Sequence, residues 1–226
     1  SYMKLEQNTD VIMLVIALPI EGAEEPVVLE LLKNATDSMM IGTGDYNNGH
    51  AMRNVVYDIN NMVIKDHLTS TYNRRFVDDR LPVDIIKATV AEQPLSIIFL
   101  DIDNMKSIND TYGHTTGDLV LKNAADTLQN CIRTDMDWIA RFGGDEFIIC
   151  LNNIGSEEAD HIAERIRNNI AAIKIPICNG SINVTASLGI QTMLKSPLTA
   201  EDMICMADEK MYEDKRRNQN QTRIIL

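Results

Sequence analysis

The sequence predicts a layered domain of mixed helices and strands, α/β or α+β in class. Three observations predict it. From Asp66 onward, apolar stripes of helical period alternate with short runs rich in β-branched residues. The pair Gly143-Gly144 joins two apolar runs as a tight hairpin. Of the 226 residues, 45% are hydrophobic and 24% charged, which is enough for an ordinary core between layers.

The elements follow in order. Val11 to Leu18 and Val27 to Leu32 are apolar runs separated by the turn residues 21–26, and predict an antiparallel strand pair. Gly42, Gly44, Asn47, Asn48 and Gly49 mark a loop. Residues 50–65 then carry Met52, Val55, Val56, Ile59, Met62 and Val63 at three- and four-residue spacing, a connecting helix with one apolar stripe. That stripe suits either a second copy of the helix, giving a dimer, or a face of the same chain. Beyond Asp66, helices are expected at Tyr72 to Ala91, His114 to Cys131, Ser156 to Ala172 and Thr199 to Arg217. Strands are expected at Leu95 to Leu100, Trp138 to Phe142, Phe147 to Leu151 and Ile182 to Ile190, with Arg223 to Leu226 as a last strand.

A net charge of -12 and a pI near 4.7 argue against nucleic acid or an anionic membrane as a non-specific partner. A nucleotide remains open, because its phosphates need only local lysines, amide donors and metal ions. Cys131, Cys150, Cys178 and Cys205 form no CxxC pair and read as reduced, mostly buried thiols of a cytoplasmic protein. His50, His67, His114 and His161 are too scattered for a zinc site. The run Val11 to Ile20 is too short to span a bilayer and contains Pro19. The start Ser1-Tyr2-Met3 reads as a piece of a longer protein, whose remainder could hold a membrane anchor.

Two acidic groups carry the chemistry. In Arg141-Phe142-Gly143-Gly144-Asp145-Glu146-Phe147, paired carboxylates stand at the mouth of a buried strand. Desolvating two acids is costly unless cations compensate, and magnesium favours such oxygen donors. The missing side chains of Gly143 and Gly144 leave room for a phosphate or sugar against the backbone. Upstream, Leu95 to Leu100 ends in Asp101-Ile102-Asp103, and alternation puts both acids on one face if the strand continues that far. The alternative is that these acids cap the following helix.

Together the two groups resemble the GGDEF family of diguanylate cyclases. Asp66-His67-Leu68-Thr69 with Asn73-Arg74-Arg75 is similar to the family's opening motif. Lys106, Ile108-Asn109-Asp110, Gly113-His114, Gly117-Asp118, Ser187, Gly189, Ala207-Asp208, Tyr212 and Lys215 follow in family order. The resemblance implies a domain over 66–226 like the palm of adenylyl cyclases and polymerases, with a central, mostly antiparallel sheet flanked by helices. Separately, the two strands ending Val28-Leu29-Glu30-Leu31-Leu32-Lys33-Asn34-Ala35-Thr36-Asp37 resemble the end of a PAS-type sensor domain, which makes 1–49 a partial sensor-like segment or a small dimerising module. The implied metal ligands are Asp101, the Ile102 carbonyl, Asp145 and Glu146, holding two Mg2+ or Mn2+ ions per GTP site. Asp145 or Glu146 would assist deprotonation. Asn109 and Asp118 would read guanine, Lys106 and Lys215 would meet phosphates, and Gly143 and Gly144 would lie along the nucleotide.

The implied reaction joins two GTP molecules into cyclic di-GMP and releases pyrophosphate. Each domain would hold one GTP, so two chains would pair through the N-terminal region, which would also carry the controlling signal. The alternatives are a non-catalytic module that binds GTP or cyclic di-GMP, and an enzyme with a mixed product. Some positions depart from the family pattern. Thr71 and Met105 replace a usual leucine and phenylalanine. Gln219 stands where an arginine is usual, and Thr134 where the inhibitory arginine falls. Asp137 and Arg165 match the rest of that inhibitory site.

Overall fold

The computed structural model describes residues 13–20, 27–34, 64–177, 180–194 and 198–222. They belong to two units. In the first, β1 (Met13–Ile20) and β2 (Val27–Asn34) pair antiparallel, with Met13 opposite Asn34 and Ile20 opposite Val27. The predicted strand pair is thus present. The apolar stripe of the connecting helix and the strand at Arg223 to Leu226 lie outside the described residues.

The second unit is built on a five-stranded sheet of order β3-β5-β6-β4-β9. Its strands are β3 (Tyr72–Asn73), β4 (Leu95–Ile102), β5 (Trp138–Arg141), β6 (Glu146–Asn152) and β9 (Ala186–Met193). Only the short β3–β5 pairing is parallel; β4 runs antiparallel to β6 and β9, and β5 to β6. A mostly antiparallel sheet flanked by helices is the architecture that the family resemblance implies.

Every residue of β4 is buried, and its period of two divides them between two cores. Ile98, Leu100 and Ile102 pack with α3 (His114–Gln129) and α4 (Ser156–Ala171). Leu95, Ile97 and Phe99 pack with α1 (Arg74–Val90) and α5 (Ala200–Thr222). Burying each such side chain stabilises the domain by roughly 1.5–3 kcal/mol, so the central strand is pinned from both sides. Met105, the departure from a usual phenylalanine, is buried in the first core.

Three elements differ from the sequence reading. The helix expected from Tyr72 begins at Arg74, because Tyr72 and Asn73 pair with Ala140 and Arg141. The Asn73 side chain then caps the helix by accepting from the Phe76 amide at 3.1 Å. A short helix, α2 (Met105–Tyr112), follows β4. The single strand expected from Ile182 to Ile190 is two. β8 (Gly180–Asn183) pairs with β7 (Lys174–Ile177), and β9 starts at Ala186. The break falls at Val184-Thr185, where the Thr185 carbonyl accepts from the Asp103 amide at 2.9 Å. Among the described residues, no helix is long and apolar enough to cross a membrane.

Gly189 sets the position of α5. A methyl group there would run into the Ala207 carbonyl and the backbone of Met211, so the helix rests on β9 backbone to backbone. Gly189 pairs with Phe99 on β4, and Ser187 with Asp101. One helical turn beyond Met211 is Lys215, which is thereby carried over Asp101.

Candidate active site

Asp101 sits near the end of β4, only 7% exposed, opposite Glu146 on one side and Ser187 on the other. Lys215 Nζ donates to Asp101 Oδ1 at 2.6 Å. Asp103 lies just past the strand and accepts from Ser187 Oγ at 2.8 Å and Thr185 Oγ1 at 2.7 Å. Neither acid caps α2. Its cap is Asn104, at φ 60°, a left-handed conformation that asparagine adopts more readily than most residues. The Asn104 side chain makes no capping bond either, so no side chain caps the helix start beside Asp101. The sequence reading missed this helix start.

The hairpin is fixed from below. The Phe142 amide donates to the Glu146 carbonyl at 2.8 Å. Arg141 donates from Nη2 and Nε to the Gly144 carbonyl at 2.6 and 3.0 Å, and from Nη1 to both oxygens of Asp66 at 3.2 and 3.3 Å. Asp66 also accepts from the Thr69 amide and hydroxyl. Arg141 therefore clamps the turn to the opening motif, a role its place in the signature did not disclose. Thr71, the polar replacement, is buried, and its hydroxyl pairs with that of Thr69 at 2.8 Å. The two glycines differ. A side chain at Gly143 would overlap the Glu146 carboxylate, whereas Gly144 faces open space.

The charges are under-compensated. Burial pushes the Asp101 carboxyl up; Lys215 pulls against it, and Asp145 and Asp103 add to the rise. Glu146 is raised by burial, then by Asp101, Asp145 and Asp208. Burial works to lower Lys215, but its bond to Asp101 outweighs that and holds it up. A divalent cation would relieve this excess of negative charge. Among the described residues, no three acid, histidine or cysteine side chains converge as a ready metal cage. Magnesium does not need one, since it takes one or two carboxylates and keeps waters. On that chemistry Asp101, Asp145, Glu146 and the Ile102 carbonyl fit the ion.

The remaining predicted residues fall in two places. Asn109 on α2 is half-buried, and Gly117 on α3 leaves room for it, since a methyl at Gly117 would overlap the Asn109 amide. Asp118 is the next residue, exposed, and Lys106 is exposed on the first turn of α2. Asp137 and Arg165 lie apart from this group. Asp137 is buried and accepts from Arg133 Nε at 2.9 Å, Arg133 Nη2 at 2.7 Å, the Arg133 amide at 3.2 Å and the Asn152 amide at 3.0 Å. Arg165 donates to the Cys131 carbonyl at 2.8 Å. On the α1–α5 side, Glu146 also borders a cavity of about 610 Å³ lined by Arg74, Phe99, Phe142, Ile204 and Cys205 among others. Cys205 is exposed, while Cys131 and Cys150 are buried.

Sheet and site together define a domain with an acidic hairpin beside a lysine-capped strand end. Residues 63–221 match the family described as the diguanylate cyclase GGDEF domain, and the chain belongs to that family. It is 37% identical over 160 residues to diguanylate cyclase DosC of Escherichia coli K12, a match that covers 70% of this chain. The chain spans about a third of that relative's length, 34%. Among solved structures it resembles diguanylate cyclase SiaD of Pseudomonas aeruginosa, solved with its activator SiaC. That match has a TM-score of 0.67 and 28% identity, and covers 74% of this chain and 64% of the other. It also resembles the GGDEF domain of DgcB from Caulobacter crescentus, solved in complex with c-di-GMP. There the TM-score is 0.65 at 27% identity, with 69% of this chain and 89% of the other covered.

Proposed function

We propose that this chain condenses two GTP molecules into cyclic di-GMP and releases pyrophosphate. The observation that supports it most is the buried Asp101, flanked in register by Glu146 and held by Lys215 at 2.6 Å. A buried acid beside half-buried ones, paired with one long-stemmed cation, suits a site that takes up metal and phosphate together. Two divalent ions, when bound, would lower the pKa of the attacking 3′-hydroxyl and neutralise charge on the α-phosphate. Asp101, the Ile102 carbonyl, Asp145 and Glu146 would hold them. Asp145 or Glu146 takes the proton of the 3′-hydroxyl.

Asn109 and Asp118 read the base, since a carboxylate accepts from the paired donors of guanine. Lys106 and Lys215 take phosphates, and the uncapped first amides of α2 offer further donors to an anion. One domain positions one GTP, so two copies face each other to complete the reaction. The apolar stripe at Met52, Val56, Ile59 and Val63 brings them together, and the N-terminal region passes on the controlling signal. The location is cytoplasmic, where GTP is available.

Incubation with GTP and Mg2+, with the product identified by mass, tests the reading. Cyclic di-GMP is the expected product. GTP binding without turnover would replace the reading with a non-catalytic module.

A further inference from the structure

We infer that Lys215 is the gatekeeper of the metal site: its ammonium and the first divalent cation compete for the carboxylate of Asp101. This rests on the reading of Asp101 as a metal ligand. The backbone of Asp101 is fixed, because β4 is buried on both faces and paired on both edges. Its Oδ1 accepts from Lys215 Nζ at 2.6 Å, so that lone pair is committed. An ammonium and a divalent ion cannot share it, since they repel each other at contact distance in a half-buried site.

Lys215 can leave. Its side chain is 28% exposed and has a four-carbon stem, whereas its backbone is held by the contact of α5 with Gly189. Leaving is unfavourable without a new anion, because Asp101, Asp103 and Asp145 all favour the ammonium where it is. A nucleotide phosphate is such an anion. Metal alone therefore binds weakly, and metal with nucleotide binds tightly, because the phosphate takes the lysine as the metal takes the aspartate.

The test uses Mn2+ as the probe on the full chain, with free ion followed by electron paramagnetic resonance and folding by circular dichroism. Lys215→Met keeps most of the stem and removes the charge. It is expected to tighten Mn2+ binding without nucleotide by about tenfold or more. Asp101→Asn placed in the same background removes the gain. In the unmodified chain, GTP with a methylene bridge between its α- and β-phosphates, which cannot react, tightens Mn2+ by a similar factor beyond what the same nucleotide chelates without protein. In Lys215→Met that tightening largely disappears. Lys215→Arg stays weak, and Lys215→Gln replaces the methionine variant if the latter does not fold. Equal or weaker Mn2+ affinity in the folded Lys215→Met protein overturns the competition. That failure is separable from failure of the proposed function. A chain that makes cyclic di-GMP yet shows no gain loses only the competition, whereas a gain without any product from GTP loses only the reaction.

Discussion

Two of the buried aspartates of this domain each hold a basic partner within 3 Å, and they differ in how far the chain satisfies them. Asp137 is 6% exposed and takes its bonds from Arg133 and the Asn152 amide, while Arg133 also donates to the Asn152 carbonyl at 2.6 Å. Its acceptors are saturated by the chain itself. Asp101 is 7% exposed, and among the described residues its ion pair is with Lys215 alone, while burial, then Asp145 and Asp103, push its carboxyl up. Saturation ties a loop together, and under-compensation prepares a carboxylate for an outside cation. Burial and an ion pair alone do not distinguish the two; the count and kind of donors do.

The sharpest way to break the contrast is to neutralise one acid on each side of it, the neighbour of Asp101 and Asp137 itself. Asp145→Asn, beside Asp101, is expected to lower GTP turnover by about a thousandfold or more with the fold intact, since an amide is a poor ligand for a hard ion. Near-normal turnover in that variant would remove Asp145 from the site. Asp137→Ala should do the reverse. It strands the Arg133 and Asn152 amides and is expected to cost about 2–3 kcal/mol in urea unfolding, with turnover per folded molecule little changed. A loss of turnover without a loss of stability would make Asp137 part of the site after all.

A smaller effect concerns base choice. Asp118→Ser removes the acceptor for guanine's paired donors and is expected to cut the preference for GTP over ATP by about tenfold, or 1.4 kcal/mol. Competition assays giving an unchanged preference would move base recognition elsewhere.

The smallest effect is on pH dependence. The folded-state pKa of Glu146 is raised, first by burial and then by its acidic neighbours. A raised carboxyl means that the folded protein holds its proton more tightly than the unfolded chain. Its ionisation therefore costs stability as pH rises through the window from the ordinary glutamate range to the raised value. Glu146→Gln is expected to be slightly more stable than the unmodified chain at neutral pH in a metal-free buffer, and the gain should vanish below the ordinary glutamate range. Thermal melts of both proteins over that range decide the sign. A gain that persists at low pH would assign the effect to packing.

The contrast also marks what was legible in the sequence. The buried strand Leu95 to Leu100 and the hairpin around Gly143-Gly144 announce themselves through period and glycine, and both stand in the structure. The local acids Asp101 and Glu146 were legible for the same reason, since a carboxylate beside an apolar run is conspicuous. The partners of Asp103 were not. Thr185 and Ser187 lie more than eighty residues away, and their polar roles are hidden in a β-branched stretch that reads as one strand. The helix α2 escaped notice because only Met105 and Ile108 of its eight residues are buried, too few to show a period. The clamp by Arg141 depends on Asp66, seventy-five positions upstream, and no local pattern reports it. Sequence thus shows where charge is placed against the core, and structure shows which charges are already spent.

Gly189 gives that distinction a mechanical side. Where a helix normally meets a strand, side chains act as springs, and a rotamer change absorbs a small displacement. Between α5 and β9 at this point there is no spring, only backbone on backbone. No rotamer there can yield to let the helix settle differently, so α5 reaches Lys215 one turn after a close backbone contact with β9. The cation's own freedom lies in its four methylenes, which are partly exposed. The hinge of the active site is therefore one side chain long.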